Sequence, residues 1–136
     1  MPSASALEAR LLAVVFCGGC VGTLLRAGVV EAVPPEAGRW PWATFLVNVA
    51  GAALLGWIAT HRRPADPARA LIGTGFCGAL TTFSTMQVEV LHMLDASRVG
   101  LALLYVSGSV AAGLLAAEAG TRARTEAGAG AGAAPR

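Results

Sequence analysis

The chain has 136 residues, of which 55% are hydrophobic and only 13% are charged. So short a chain cannot bury that much apolar surface in one water-soluble core, because small domains leave a large share of their surface exposed. Ten basic residues, all of them arginine, stand against eight acidic ones and form no basic stripe of the kind that nucleic-acid binders need, so we expect a lipid bilayer and no nucleic acid as a partner.

Four apolar stretches follow one another along the chain, at residues 11–30, 42–60, about 70–94 and about 99–119. Each has close to the ~20 residues that a helix needs to cross the hydrocarbon layer. The stretches are continuous rather than alternating, which argues against a strand-based barrel. Residues 1–120 are therefore predicted to form an all-α membrane domain with four transmembrane helices.

The C-terminal residues 121–136 have a different composition from the spans. They pass into alternating glycine and alanine, which offer no large side chain to bury. This tail is predicted to be disordered.

Polar residues inside the spans are informative because they are costly to place in lipid. The amide of Asn48 lies in the second span, where such a group often only bonds a neighbouring helix. In the third span, residues 73–85 place three glycines before four hydroxyl side chains, a composition that weakens a helix. It predicts a helix broken at mid-membrane, and the alternative is a glycine-rich packing face whose hydroxyls bond the preceding turn.

Catalytic groups do not assemble from the sequence, because the carboxylates are scattered singly and the two histidines lie at loop edges. We therefore expect no enzyme. Small residues four apart, Gly18 with Gly22 and Ala52 with Gly56, predict close approach of helix backbones. Four short helices cannot easily surround a pathway, so a dimer is expected.

Three patches, at residues 18–26, 44–51 and 75–85, resemble the CrcB/Fluc family of fluoride channels, and the likeness runs through all four spans. The resemblance implies a multi-pass protein of a prokaryotic plasma membrane that lets cytoplasmic fluoride leave passively and so reduces fluoride toxicity. It also implies an antiparallel, dual-topology dimer with two fluoride pathways and a structural sodium ion at its centre.

The resemblance carries site roles onto matching positions. The backbone carbonyls of Gly78 and Thr81 would face the sodium ion, and Glu89 would lie near the outer end of the third span. The implied fluoride pathway comprises Arg26, Asn48, Thr82, Phe83, Ser84, Met86, Tyr105 and Ser109. Compact donors of this kind suit a small, strongly hydrated anion, since they can replace its water.

One departure from the family pattern is Met86, which stands where the family has a second phenylalanine and brings no aromatic rim. A second is the charge balance between the two sides of the membrane: seven arginines fall on the side of the termini and three on the other. This bias favours both termini inside. It motivates the hypothesis that the chain is one subunit of a heterodimeric fluoride channel whose partner has the opposite bias.

The nearest rival is a proton-coupled small multidrug exporter, which also has four spans. Such a protein needs a carboxylate in the middle of its first span. Here Glu8 precedes that span and nothing acidic lies within it.

Overall fold

The computed structural model describes residues 4–36, 38–61 and 66–132, and within these ranges the chain is helical and contains no strand. The elements in chain order are α1 (Ala4–Ala32), α2 (Trp42–His61), α3 (Pro67–Arg69), a π-helix (Ala70–Cys77), α4 (Gly78–Leu80), α5 (Phe83–Asp95) and α6 (Val99–Gly132).

Three helices of the described chain are long and apolar enough to cross a membrane, at Ser5–Ala32, Trp42–Thr60 and Val99–Ala123. They correspond to the first, second and fourth predicted spans, although α1 begins well before residue 11. Large apolar side chains on α1 stay exposed, Phe16 at 72% for example, as expected of a surface that meets lipid or another subunit. The chain is a multi-pass membrane protein.

The third predicted span, residues 70–94, divides into shorter helical pieces. Asp66 caps the start of α3 by accepting the amide of Ala68 at 2.8 Å, with Pro67 in the first helical position. The wider turns of the π-helix follow, and α4 ends at Leu80. The helical path resumes at Phe83 in α5.

Glycines set the helix packing, with the π-helix lying mainly against α1 and α6 mainly against α2. A Cβ atom at Gly18 or Gly22 would overlap a carbonyl oxygen of the π-helix, and one at Gly56 would overlap the carbonyl oxygen of Ala117. The close backbone approach that the small-residue steps predict is confirmed within the chain at these glycines.

A small apolar core joins α5 and α6. Met86, Met93, Ala102 and Tyr105 are buried together, and Trp40 packs against them. The turn between the helices is a Schellman motif, in which the amide of residue 98 donates to the carbonyl of Met93 at 2.8 Å. Its central residue, Ser97, has a φ of +58°.

The structure differs from the predicted disordered tail at residues 121–136, because α6 continues to Gly132. Thr121 still touches α2, donating its hydroxyl to the Gly56 carbonyl at 3.3 Å, and Arg122 forms an ion pair with Glu118 one turn earlier. Alanine is the strongest helix former, and i,i+4 pairs add support, so helix continues where large apolar side chains end. Residues 133–136 lie outside the described part of the chain.

Candidate functional site

The helical path stops for two residues, Thr81 and Thr82. Both have extended backbone angles, with ψ at 149° and 119°. The Thr81 amide still donates to the Cys77 carbonyl at 3.0 Å, and the Thr82 hydroxyl caps α5 by accepting the amide of Thr85 at 3.2 Å. A hydrogen bond therefore stabilises the helix end on each side of the interruption, and threonine is a preferred N-cap residue at the start of α5.

Asn48 of α2 brackets Thr82 from the side. Its Oδ1 accepts the Thr82 amide at 2.7 Å, and its Nδ2 donates to the Thr82 carbonyl at 3.1 Å. The side-chain amide therefore satisfies both backbone groups of a residue outside any helix. A carboxamide has two N–H donors, and this bracket occupies one of them.

The interruption also leaves two backbone carbonyls without their usual helical N–H donors. In an uninterrupted α-helix the Thr82 amide would bond the carbonyl of Gly78, but here it donates to Asn48. In the same way, the Thr85 amide donates to the Thr82 hydroxyl rather than to the carbonyl of Thr81. The interruption thus redirects the amides that would normally occupy the Gly78 and Thr81 oxygens.

Arg26 of α1 reaches the same region. Its Nε donates to the carbonyl of Ala79 at 3.2 Å, which satisfies one orphan oxygen at the end of α4. Among the described residues no cluster of three or more His, Cys, Asp or Glu side chains could hold a metal ion. The oxygen atoms at this site belong instead to backbone carbonyls and to the hydroxyls of Thr81 and Thr82.

Hydroxyl groups cluster at the start of α5. The Thr82 hydroxyl donates to that of Thr85 at 2.9 Å and lies 3.4 Å from that of Ser84. Phe83, between them, is 69% exposed, so its ring is free to meet a molecule or a subunit outside this chain. The structure therefore brings Asn48 and Thr82 next to the hydroxyls of Ser84 and Thr85. Phe83 points away from the core.

A second polar group is buried between α2, α5 and α6. The hydroxyl of Thr44 donates to one carboxyl oxygen of Glu89 at 2.5 Å, and that of Tyr105 donates to the other at 2.7 Å. All three side chains are buried, and the indole of Trp40 meets the Tyr105 ring edge-on with centroids 5.2 Å apart. The burial of a carboxyl group is tolerated because both of its oxygens accept a hydrogen bond.

The role of Thr44 is missing from the sequence interpretation. A signal for it exists, since Thr44 and Asn48 are four residues apart and therefore share one face of α2. That face meets both polar groups, Thr82 through Asn48 and Glu89 through Thr44.

The remaining predicted site residues lie in two settings. Met86 is buried in the core cluster beside Tyr105. On α6, the Ser109 hydroxyl is buried and has no hydrogen-bond partner within the described chain, whereas Ser107 is exposed and bonds the Leu103 carbonyl of its own helix.

A protein-family model described as CrcB-like protein, Camphor Resistance (CrcB), matches residues 13–121. The chain is 49% identical over 117 residues to fluoride-specific ion channel FluC 1 of Mycolicibacterium paratuberculosis, a match that covers 83% of this chain and 89% of that protein. It is 41% identical over 119 residues to fluoride-specific ion channel FluC of Stutzerimonas stutzeri, covering 82% and 94% of the two chains. It is also 40% identical over 111 residues to FluC 2 of Geobacillus kaustophilus, covering 78% and 86%.

Proposed function

This chain belongs to the CrcB family, and from that membership we propose that it is a fluoride-selective channel through which cytoplasmic fluoride leaves passively across a prokaryotic plasma membrane. Such a function is of the transport type rather than enzymatic. The observation that supports it best is the bracket of Asn48 on Thr82, which holds a polar, interrupted segment between apolar helices. Irregular backbone of this kind is tolerated in a membrane where it is buried in protein or lines a polar cavity.

The pathway is proposed to replace the water around fluoride with compact donors. The second N–H of Asn48, the hydroxyls at the start of α5 and the unpartnered hydroxyl of Ser109 can supply hydrogen bonds. The exposed ring of Phe83 can offer its positive edge. Met86 packs in the core beside Tyr105, so we assign it a supporting role. We assign the aromatic contact with fluoride to Phe83.

We assign the segments α3, π-helix, α4 and α5 together to a third span, broken at mid-membrane, which gives four spans in all. The exposed faces of α1 and α5 suit a second subunit, and an antiparallel dual-topology dimer would present two pathways. Labelling of terminal tags from both sides of the membrane tests this arrangement. Tags found on one side only would refute dual topology for the chain expressed alone.

A structural sodium ion at the dimer centre is compatible with the residues present. The carbonyls of Gly78 and Thr81 have lost their usual helical donors, and carbonyl oxygens are suitable ligands for a hard cation. When bound, a fixed cation would lower the electrostatic cost of holding anions nearby. We expect purified dimer to unfold at a higher temperature in sodium chloride than in choline chloride, and equal unfolding temperatures would contradict the assignment.

A heterodimer is the second candidate, and the arginine bias favours it. Arg10, Arg69 and Arg122 belong to the more basic side within the described chain, against Arg26, Arg39 and Arg98 on the other. Arg62, Arg63 and Arg136 add to the same side but lie outside the described residues, and the placement of the Arg124 side chain is not described. Fluoride efflux by the chain expressed alone, with both orientations equally populated, would refute the heterodimer.

Fluoride release from proteoliposomes, measured with an ion-selective electrode and compared with chloride release, tests the function. Ser109→Ala removes the unpartnered buried hydroxyl, and Ser107→Ala is its matched control because that hydroxyl only bonds its own helix. We expect slower fluoride release from Ser109→Ala and an unchanged rate from Ser107→Ala.

Substitution of Asn48 or Phe83 should abolish fluoride release while the dimer stays folded. Unchanged release from both variants would refute the assigned pathway. Release of chloride as fast as fluoride would refute the selective channel itself.

A further inference from the structure

One end of the helical assembly contains a second feature, apart from the interrupted segment. A cavity of about 430 Å³ lies where the end of α1, the start of α2 and the start of α6 meet. Arg39 and Arg98 line it together with the apolar side chains of Val33, Trp42 and Leu101. The cavity therefore combines two guanidinium groups with an apolar wall.

Arg98 is the better placed of the two cations. Its side chain lies across Gly38, which has a φ of +73° and where a Cβ atom would be 3.8 Å from the Arg98 Cγ. Among the described residues no carboxylate pairs with Arg98. A guanidinium held along its stem, with its donors unpaired, is suited to bind an oxyanion.

Arg39 supplies the second positive charge. It forms an ion pair with Glu36 at 2.8 Å, but both side chains are largely exposed, at 73% and 66%. Exposed pairs of this kind contribute little stability, so the guanidinium can turn to another anion at small cost. With Glu36 included, the lining keeps one net positive charge.

The position of the cavity relative to the membrane indicates which class of anion fits it. It lies where three membrane-capable helices begin or end, which corresponds to the headgroup level. Trp42 is 56% exposed and Val33 51% exposed, and tryptophan is enriched at this level of a bilayer. A ligand that fits both walls is charged at one end and apolar at the other.

We propose that this cavity binds an anionic glycerophospholipid. Its phosphate would lie between Arg39 and Arg98, and the first carbons of its acyl chains would lie against Val33, Trp42 and Leu101. A free phosphate ion would satisfy the arginines but would leave the apolar wall without a partner. The proposal is independent of the fluoride pathway, since neither arginine belongs to it.

Native mass spectrometry of the full-length protein released from detergent tests the proposal. The probes are phosphatidylglycerol, phosphatidylcholine with the same acyl chains, and inorganic phosphate. Arg98→Gln and Arg39→Gln remove one charge each, and Arg98→Lys retains it. The matched control is Arg10→Gln, which removes an exposed arginine near the other end of α1.

We expect phosphatidylglycerol to bind more tightly than phosphatidylcholine, and each glutamine variant to weaken its binding about fivefold, as expected for loss of one arginine near an anionic headgroup. Arg98→Lys, which keeps the charge but not the planar guanidinium, should bind phosphatidylglycerol more tightly than Arg98→Gln, and Arg10→Gln should bind it nearly as the unaltered chain does. If Arg98→Gln fails to fold, Arg39→Gln gives the same readout from an exposed loop position.

Equal binding of the two lipids would overturn the proposal, and so would an equal effect of Arg10→Gln and the cavity variants. Displacement of phosphatidylglycerol by an equimolar amount of inorganic phosphate would also overturn it, because the apolar wall would then contribute nothing.

Discussion

Replacing Glu89 alone should destabilise the chain far more than replacing Thr44, Glu89 and Tyr105 together. In Glu89→Met, the hydroxyls of Thr44 and Tyr105 lose their acceptor while both residues remain fully buried. The triple variant Thr44→Val, Glu89→Met, Tyr105→Phe replaces all three polar side chains with apolar ones of similar size. In this variant, neither position 44 nor position 105 has a hydroxyl that would lack a partner.

The expected magnitudes follow from these contacts. Each buried hydroxyl left without a partner costs about 1–3 kcal/mol, so Glu89→Met should lower the free energy of unfolding by about 2–6 kcal/mol. The triple variant should come within about 1 kcal/mol of the unaltered chain, because replacement of every partner by apolar groups of the same shape is nearly neutral.

Equilibrium unfolding in mixed detergent micelles, followed by helical circular dichroism, measures both variants. The reasoning is refuted if the triple variant is as unstable as Glu89→Met, or if Glu89→Met is as stable as the unaltered chain. Fluoride efflux is a separate readout. The folded triple variant should conduct poorly, since it lacks the Tyr105 hydroxyl, which the family resemblance places on the fluoride pathway.

Three further predictions concern the helices, each read from thermal unfolding in detergent. Gly22→Ala should destabilise the chain by about 1–3 kcal/mol, because its Cβ atom overlaps the Phe76 carbonyl. Gly28→Ala, where nothing lies within 4 Å, should stabilise α1 by about 0.5–1 kcal/mol, and equal effects at the two glycines would contradict the packing. Ser97→Gly should stabilise the turn by up to about 1 kcal/mol, since φ is +58°; destabilisation would argue against that geometry. Thr82→Val should destabilise α5 by about 1 kcal/mol and Thr82→Ser much less, and equal losses would exclude a capping role.

The first, second and fourth apolar spans could be predicted from the sequence because length and continuity alone indicate a membrane helix. The family could be inferred too, since the residues around Asn48 and Thr82 carry the resemblance. The pairing of those two residues could not be predicted, because they are 34 positions apart and their contact depends on how α2 packs.

Other features depend on the same packing. The π-helix has no distinct sequence pattern, and its carbonyls at Leu71 and Phe76 lie close against Gly18 and Gly22 of α1. Glu89 is an ordinary surface residue by composition, and only its two hydroxyl donors explain its burial. The helix continues beyond Thr121 because alanine is a strong helix former. The high glycine content of the tail leads to the prediction of disorder instead.

The interrupted segment also bears on how this protein can move. Two residues outside a helix usually act as a hinge, yet here α2 holds both of them: Asn48 bonds Thr82, and Gly51, one turn later, leaves just enough room for the Thr81 methyl group. A joint fixed on two sides cannot flex without α2 moving as well. In the proposed pathway, the hydrogen-bond donors next to this segment would therefore keep their spacing before fluoride arrives, and binding would need little reorganisation.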